Sequence, residues 1–172
     1  MIGEAAKSTT ALNLAGGEEL DLESNYLRLL TLIERLHRQL LDVIKDELER
    51  LGQKDINSVQ ALLLYNIGDA ELTAGELRTR GHYLGSNVSY NLKKLVDAGY
   101  IRHERNAADK RSVRVSLTEA GREVCGKIAA LYERHLASVE QAGDVNAELM
   151  AVTNKTLMRL ERFWTDQVRF RL

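Results

Sequence analysis

Two groups of polar and basic side chains in the middle of the 172-residue chain have the chemistry needed to bind nucleic acid. The first group belongs to a predicted helix: Ser86, Asn87, Tyr90, Lys93 and Lys94 fall on one face, and Ser89 and Asn91 flank that face. An asparagine such as Asn87 can bond bidentately to adenine, and Lys94 can contact guanine or a phosphate. The hydroxyl group and ring of Tyr90 could meet a base edge or a thymine methyl group. This face is predicted to contact bases and phosphates, and the alternative is an ordinary solvated helix face.

The second group belongs to a predicted hairpin and its polar tip, and consists of Arg105, Asp109, Lys110, Arg111 and Arg114. An arginine inserted into a narrow minor groove gains from the enhanced negative potential there. Arg111 is predicted to take that role, oriented by a salt bridge to Asp109. The other basic residues of the group are predicted to contact phosphates, and the alternative is an ordinary hairpin surface.

The positive charge of the chain is concentrated where these two groups lie. From Leu72 to Arg114 there are nine basic and four acidic residues, which gives +5. The whole chain carries a formal charge of −1, so the remainder carries −6. A basic segment on an acidic body is typical of a DNA-facing module.

Helical and then strand-like periodicity gives both groups a shared scaffold. The apolar stripe of the helix is made by Val88, Leu92, Leu95 and Val96. The helix is predicted to begin at the N-cap Ser86 and to end at Gly99. Further on, Val113, Val115 and Leu117 alternate with polar residues, as in a half-buried strand. A helix followed by a basic-tipped hairpin indicates a winged helix-turn-helix, whose helix can enter a major groove and whose tip can reach a minor groove.

Upstream residues supply the rest of the predicted winged module. Thr73 and Glu76 have the spacing of a capping box, which predicts a positioning helix over 74–80 and a helix-turn-helix over 73–98. Glu71-Leu72 is predicted to be a short third strand. Asn57 and Gln60 have the same capping-box spacing at the start of an earlier helix.

The wing and the helix together resemble a known family. Asp109-Lys110-Arg111-Ser112 and the following VRVSLTEAG run resemble the MarR-family wing, D-x-R followed by V-x-L-T-x-x-G, and the helix from Ser86 resembles that family's recognition helix. The resemblance implies a homodimer in which the first and last helices form an intersubunit bundle and each subunit presents one wing. It also implies a small-molecule effector bound between the winged module and the dimer helices. The family often has arginine where this chain has Tyr90, so the base contacts of that arginine are not carried over.

The chain is predicted to have four segments: a mobile tail over 1–21, a dimerisation helix over 22–56, the winged helix-turn-helix DNA-binding domain over 57–118, and C-terminal dimerisation helices over 119–172. The long terminal helices carry more apolar surface than a small winged module can cover, so they are predicted to pack across two chains. The predicted fold class is mainly α, of α+β type. The homodimer is expected to bind a pseudo-palindromic operator in double-stranded DNA.

Other functional classes have little support in the sequence. It contains no nucleophile motif, phosphate-binding loop or paired carboxylates, so we predict no enzyme activity, no cofactor and no metal site. Cys125 is predicted to be a buried structural residue. Candidates for effector binding are Tyr26, His37, Tyr65 and His135, each equally explained by packing in the core or at its rim. No apolar run has the length of a membrane span and the N-terminus lacks a signal pattern, so a cytoplasmic protein without membrane contact is expected.

Two alternatives to a DNA-binding regulator remain at this point. One is a winged-helix module for protein interaction or assembly that does not bind DNA. The other is a small-molecule-binding protein whose main role is not DNA control. The basic wing and the Lys93-Lys94 pair argue against the first.

Overall fold

The fold, seen in a computed structural model, is mainly helical with one small sheet. The structure describes residues 21–73, 76, 85–105 and 113–170. The helices are α1 (Leu22–Arg50), α2 (Ser58–Ile67), α3 (Gly85–Asp97), α4 (Glu119–Ala142) and α5 (Ala147–Phe170). The strands are β1 (Leu72–Thr73), β2 (Ile101–Arg105) and β3 (Val113–Leu117). The predicted α+β class, with a winged module between long helices, is confirmed.

The three strands form an antiparallel sheet in the order β1-β3-β2. Val115 pairs with Leu72 on one side and with His103 on the other, while Leu117 pairs with Ile101. Val115 and Leu117 are buried and Arg114 between them is exposed, because successive side chains of a strand point to opposite faces. The predicted alternation and the short third strand are therefore confirmed, although that strand lies one residue later than expected.

Helix starts follow the side-chain caps expected from the sequence. The Asn57 side chain accepts from the Gln60 backbone N–H at 2.9 Å, and the Gln60 side chain accepts from the Asn57 N–H at 3.0 Å. Thr73 and Glu76 make the same reciprocal pair, at 3.1 Å and 2.7 Å. Thr118 caps α4 by accepting from the Gly121 N–H. Each cap satisfies N–H groups that have no partner within the helix.

One predicted cap is wrong, and the predicted end of the same helix is confirmed. Helix α3 already begins at Gly85, so Ser86 lies in its first turn and is not the N-cap. At the other end Gly99 has a φ of 78°, the left-handed conformation that is least costly for glycine. The Tyr100 N–H then donates to the Leu95 carbonyl and the Gly99 N–H to the Val96 carbonyl, the paired bonds of a Schellman motif.

Several predicted features lie outside the described residues. These are the tail over 1–20, the positioning helix over 74–80 apart from Glu76, and the hairpin tip over 106–112. The last helix, α5, extends to Phe170, within the C-terminal helical segment predicted over 119–172. The proposed functional roles of the four segments stay predictions.

The chain divides into two compact units, Met1–Leu41 and Asp42–Leu172, with the boundary inside α1. In the second unit α2 packs on α4 and β3, and α3 packs on β2. The large side chains that are almost completely buried are Ile44, Leu63, Leu64, Ile67, Leu95, Val124 and Ile128. This core fixes α3 and the sheet to α2 and α4. Within the described part of the chain, no helix is both long and apolar enough to span a membrane.

Candidate nucleic-acid interface

Helix α3 packs through Leu92 and Leu95, which are buried, and this determines the side chains that face outward. The exposed members of the predicted set are Ser89, Tyr90, Lys93 and Lys94, and Asn91 is half-buried. Ser86 and Asn87 lie in the first turn of α3, and their side chains are outside the described residues. The structure thus brings hydroxyl, phenol and ammonium groups together on one accessible helix face.

Tyr90 and Lys94 form a pair within this face. They are four residues apart, which places them on the same side of the helix one turn from each other. The Lys94 Nζ atom lies 5.8 Å from the centroid of the Tyr90 ring, within the range of a cation–π contact. The Tyr90 side chain remains 62% exposed, so it is available to a ligand in a groove.

Of the residues in the predicted hairpin group, Arg114 is the one whose side chain the structure describes. Arg114 on β3 is exposed, and its Nη1 lies 3.3 Å from the Glu71 Oε2. Glu104 on β2 is directly opposite Arg114 in the strand register. Arg114 therefore has acidic neighbours on both sides of β3, and sequence analysis missed the pairing with Glu71. The Arg105 side chain and Asp109, Lys110 and Arg111 lie outside the described residues.

A hydrogen-bonded cluster at the end of α3 was not predicted from the sequence. We call it the Tyr100 joint, and it consists of Gln53, Asp55, Tyr100 and Lys127. The Tyr100 hydroxyl donates to Asp55 Oδ2. The Gln53 amide donates to that hydroxyl and to Asp55 Oδ1, both at 2.7 Å, and accepts from Lys127 Nζ at 2.8 Å. The only signal in the sequence was an aromatic residue directly after the helix-ending Gly99.

The surroundings of the Tyr100 joint shift the pKa values of two of its groups. Burial, followed by the hydrogen bond to Asp55 and its negative charge, raises the pKa of Tyr100 to about 12. The same hydrogen bond holds the pKa of Asp55 below its usual value, against the opposing effect of its own burial. At neutral pH Tyr100 is therefore a hydroxyl donor and Asp55 an ionised acceptor, which makes their bond charge-assisted.

The backbone of Tyr100 is in close contact with the first turn of α4. The Tyr100 carbonyl accepts from the Thr118 N–H at 3.0 Å. A Cβ atom placed on Gly121 would lie 2.3 Å from that carbonyl oxygen, far inside van der Waals contact. Glycine is therefore required at position 121 for this approach, which gives a physical reason for the last residue of the wing motif.

A second buried cluster joins α1 to α4. Glu47 is only 6% exposed, and its carboxylate accepts two bonds from Arg50, at 2.8 and 2.7 Å, and one from Arg134 at 2.6 Å. The hydrogen bond from Arg50, aided by Arg134 and by both positive charges, lowers the pKa of Glu47 to about 2 despite its burial. The pair Glu47 and Arg50 has i,i+3 spacing and was visible in the sequence, whereas Arg134 was not.

The predicted effector-binding residues have different surroundings. Tyr65 packs edge-on against Tyr132, with ring centroids 5.1 Å apart, and is half-buried. Tyr26 is half-buried, while His37 and His135 are exposed. Effector binding by the four residues stays a prediction.

Cys125 is half-buried, short of the full burial expected for it. Its partial burial and the nearby Asp69 carboxylate raise the pKa of its thiol, so the reactive thiolate is disfavoured. Among the described residues, no three histidine, cysteine or acidic side chains are clustered so that they could hold a metal ion.

Comparison with known proteins agrees with the winged module and its flanking helices. A sequence model described as the MarR family matches residues 54–112. The exopolysaccharide II synthesis transcriptional activator ExpG of Rhizobium meliloti is 41% identical over 148 residues, which cover 84% of this chain and 74% of that protein.

Solved structures with the same fold include protein–DNA complexes. FabT of Streptococcus pneumoniae in complex with DNA is 28% identical with a TM-score of 0.61, covering 82% of this chain and 98% of that one. A mutant MarR from E. coli complexed with operator DNA has a TM-score of 0.63, covers 82% of this chain and 99% of that one, and at 24% identity shows likeness of fold alone. Because a relative 41% identical to it spans most of both sequences, this chain belongs to the MarR family and is a DNA-binding transcriptional regulator.

Proposed function

We propose that two copies of the chain bind a pseudo-palindromic operator, each placing α3 in a major groove and its wing tip beside an adjacent minor groove. The observation that carries the proposal is the outward face of α3, where Tyr90, Lys93 and Lys94 are exposed opposite the buried Leu92 and Leu95. An α-helix fits the major groove, and these side-chain types can bond to base edges and phosphates there.

In this proposal the residues of α3 divide into two roles. Asn87, Tyr90 and Lys94, with Ser86, contact base edges or nearby phosphates. Ser89, Asn91 and Lys93 flank them and contact the backbone. Phosphate contacts supply affinity and register, while base contacts supply discrimination between sequences.

The wing adds a second contact through Arg111, oriented by Asp109, with Arg105, Lys110 and Arg114 near phosphates. Arg114 already has a carboxylate partner in Glu71, at 3.3 Å. A DNA phosphate would have to replace that carboxylate, which is feasible because Arg114 is exposed and an arginine pairs well with either anion. The contribution of Arg114 to affinity is therefore the difference in free energy between its ion pair with a DNA phosphate and its ion pair with Glu71.

We further propose that the terminal helices form the homodimer. All residues of α5 are at least partly exposed, among them Met150, Val152, Met158, Phe163 and Val168. On α1, Leu22, Leu27, Leu32 and Leu36 are exposed as well. Apolar side chains in this number are expected to be covered, and a second copy covers them with the two-fold symmetry that a palindromic site requires.

The direction of control is proposed from the 41% identical relative, which is named a transcriptional activator. We propose that this chain also activates transcription, in the cytoplasm, and that a small molecule bound near Tyr26, His37, Tyr65 or His135 modulates it. No enzymatic activity is part of the proposal.

The experiment is a fluorescence-anisotropy titration of the full-length protein against two labelled duplexes of equal length. One carries the promoter region upstream of the protein's own gene and the other a shuffled version of it. Preference for the promoter duplex, decreasing steeply with salt, is the expected result. If the protein binds both duplexes equally, the comparison is repeated with a duplex selected by the protein from a randomised pool and a shuffled version of that duplex. Equal affinity within this second pair as well would contradict sequence-specific regulation and favour an interaction module.

A further inference from the structure

The Tyr100 joint lies between the helix that faces DNA and the long helix α4. We propose that the joint holds α3 at a defined angle to α4 and thereby determines which spacing of half-sites the dimer accepts. The inference rests on the proposed function, since it presumes that α3 reads DNA in a dimer. Tyr100 and its partners are positioning residues and touch no base.

The backbone at Tyr100 ties the end of α3 to the start of α4. The Tyr100 N–H bonds to the Leu95 carbonyl, inside α3, at 2.9 Å. The Tyr100 carbonyl accepts from the N–H of Thr118, and the Thr118 hydroxyl donates to the Gly99 carbonyl at 2.7 Å. The carbonyl groups of Gly99 and Tyr100, which directly follow α3, are therefore both bonded to Thr118, the residue that caps α4.

The side chain of Tyr100 makes a second connection at its far end. Its ring is buried, and its hydroxyl is held by Asp55 and Gln53 in the segment between α1 and α2. Gln53 is in turn bonded to Lys127 on α4 at 2.8 Å. Two attachments at opposite ends of one buried residue resist rotation of α3, whereas a single attachment would act as a hinge.

Orientation of α3 matters because a helix-turn-helix dimer reads two half-sites one helical turn apart. One additional base pair moves a half-site by about 3.4 Å and rotates it by about 35°. A dimer with rigidly held reading helices loses contacts at the altered spacing. A dimer with loosely held helices can follow the displaced half-site, but it binds the best spacing less tightly because the helices must be ordered on binding.

If the Tyr100 joint only stabilised the fold, its loss would affect the affinities for different duplexes in another way. Partial unfolding reduces the active fraction by the same factor for every duplex. The ratio of affinities between duplexes would then be unchanged. Loss of orientation changes that ratio and the dependence on spacing.

The experiment uses full-length protein and three kinds of duplex. These are the tightest-binding duplex selected by the wild-type protein from a randomised pool, the same duplex with one base pair added between its half-sites, and a random duplex. The variants are Tyr100→Phe, which removes only the hydroxyl, and Lys127→Met, which keeps the side-chain length. The matched control is Tyr132→Phe on α4, whose ring packs on Tyr65 outside the joint.

For Tyr100→Phe we expect affinity for the selected duplex to fall about fivefold or more, the factor that corresponds to one net hydrogen bond. Affinity for the random duplex should not change, and the penalty for the added base pair should shrink. Lys127→Met should change both quantities in the same direction, and it decides the question if Tyr100→Phe does not fold. Tyr132→Phe should match the wild-type protein.

If the variants lose affinity equally for all three duplexes, or lose none, the proposed role of the Tyr100 joint is wrong while the proposed function stays intact. A wild-type protein that binds the selected and random duplexes equally would overturn the proposed function, and the joint with it. The two failures are therefore distinguishable in one set of titrations.

Discussion

Replacement of Gly121 by alanine tests the close contact between α4 and the end of α3. The added Cβ would lie 2.3 Å from the Tyr100 carbonyl oxygen and 3.3 Å from the Leu117 Cβ. The obstacle is backbone, which has no rotamer with which to avoid the methyl group. The first turn of α4 must therefore move away from Tyr100, which stretches the 3.0 Å bond from the Thr118 N–H.

The expected cost follows from these contacts. Overpacking costs about 1–3 kcal/mol, and weakening one hydrogen bond adds about 1 kcal/mol. The better helix propensity of alanine returns up to about 1 kcal/mol. We therefore expect Gly121→Ala to lower the free energy of unfolding by about 1–4 kcal/mol.

Gly126 provides the matched control on the same helix, because a Cβ there has no neighbour within 4 Å. Gly126→Ala should stabilise the protein by up to about 1 kcal/mol through helix propensity alone. Urea unfolding of both variants at one protein concentration measures the difference, and equal slopes would show that the transitions are comparable. If Gly121→Ala were as stable as Gly126→Ala, the described approach of α4 to Tyr100 would be wrong.

Three further predictions concern charge, assembly and the wing. The lowered pKa of Glu47 means that its stabilisation is complete above its usual pKa of 4.5 and is lost as pH falls towards about 2. After allowance for its exposed arginine partners, this stabilisation is worth about 1–2 kcal/mol. Thermal melts across that range should show a smaller loss in Glu47→Gln than in the wild type, because Asp55, whose pKa is also lowered, contributes in both proteins. Phe163 on α5 is half-exposed in one chain, so Phe163→Glu should leave the chain folded but dissociate the dimer in analytical ultracentrifugation, and an intact dimer would remove α5 from the interface. Arg111→Ala should weaken operator binding strongly at fixed salt, and Asp109→Ala should act in the same direction. If the loss of binding free energy in the double variant equals the sum of the two single losses, the two residues are not coupled.

Local features were predictable from the sequence because their causes lie within a few residues. The caps at Asn57, Thr73 and Thr118 depend on side chains three positions from the N–H groups involved. The alternation of Val115 and Leu117 depends only on the pleat of a strand. The misplaced cap at Ser86 is an error of one or two residues, the usual uncertainty at a helix end.

Long-range polar contacts were not predictable, since no periodic pattern brings their partners together. The Tyr100 hydroxyl bonds to a carboxylate 45 residues away, and Arg134 bonds to Glu47 across 87 residues. The candidate DNA-binding face of α3 was predicted from residue types, but the pairing of Arg114 with Glu71 depends on the sheet register. Gly121 was identified through a motif, and only the structure gives the reason for it.

Tyr90→Ala tests most directly whether the outward face of α3 reads DNA sequence. Tyr90 is 62% exposed and uncharged, so its loss should affect neither folding nor the slope of log affinity against log salt. Paired titrations of operator and random duplexes at several salt concentrations should show a loss of about 1–3 kcal/mol on the operator and none on random DNA. Lys94→Ala, by contrast, should reduce the salt slope by about 0.9 if the lysine contacts a phosphate. Equal losses on both duplexes for Tyr90→Ala would contradict sequence reading by this face of α3 and would mean that sequence is read elsewhere.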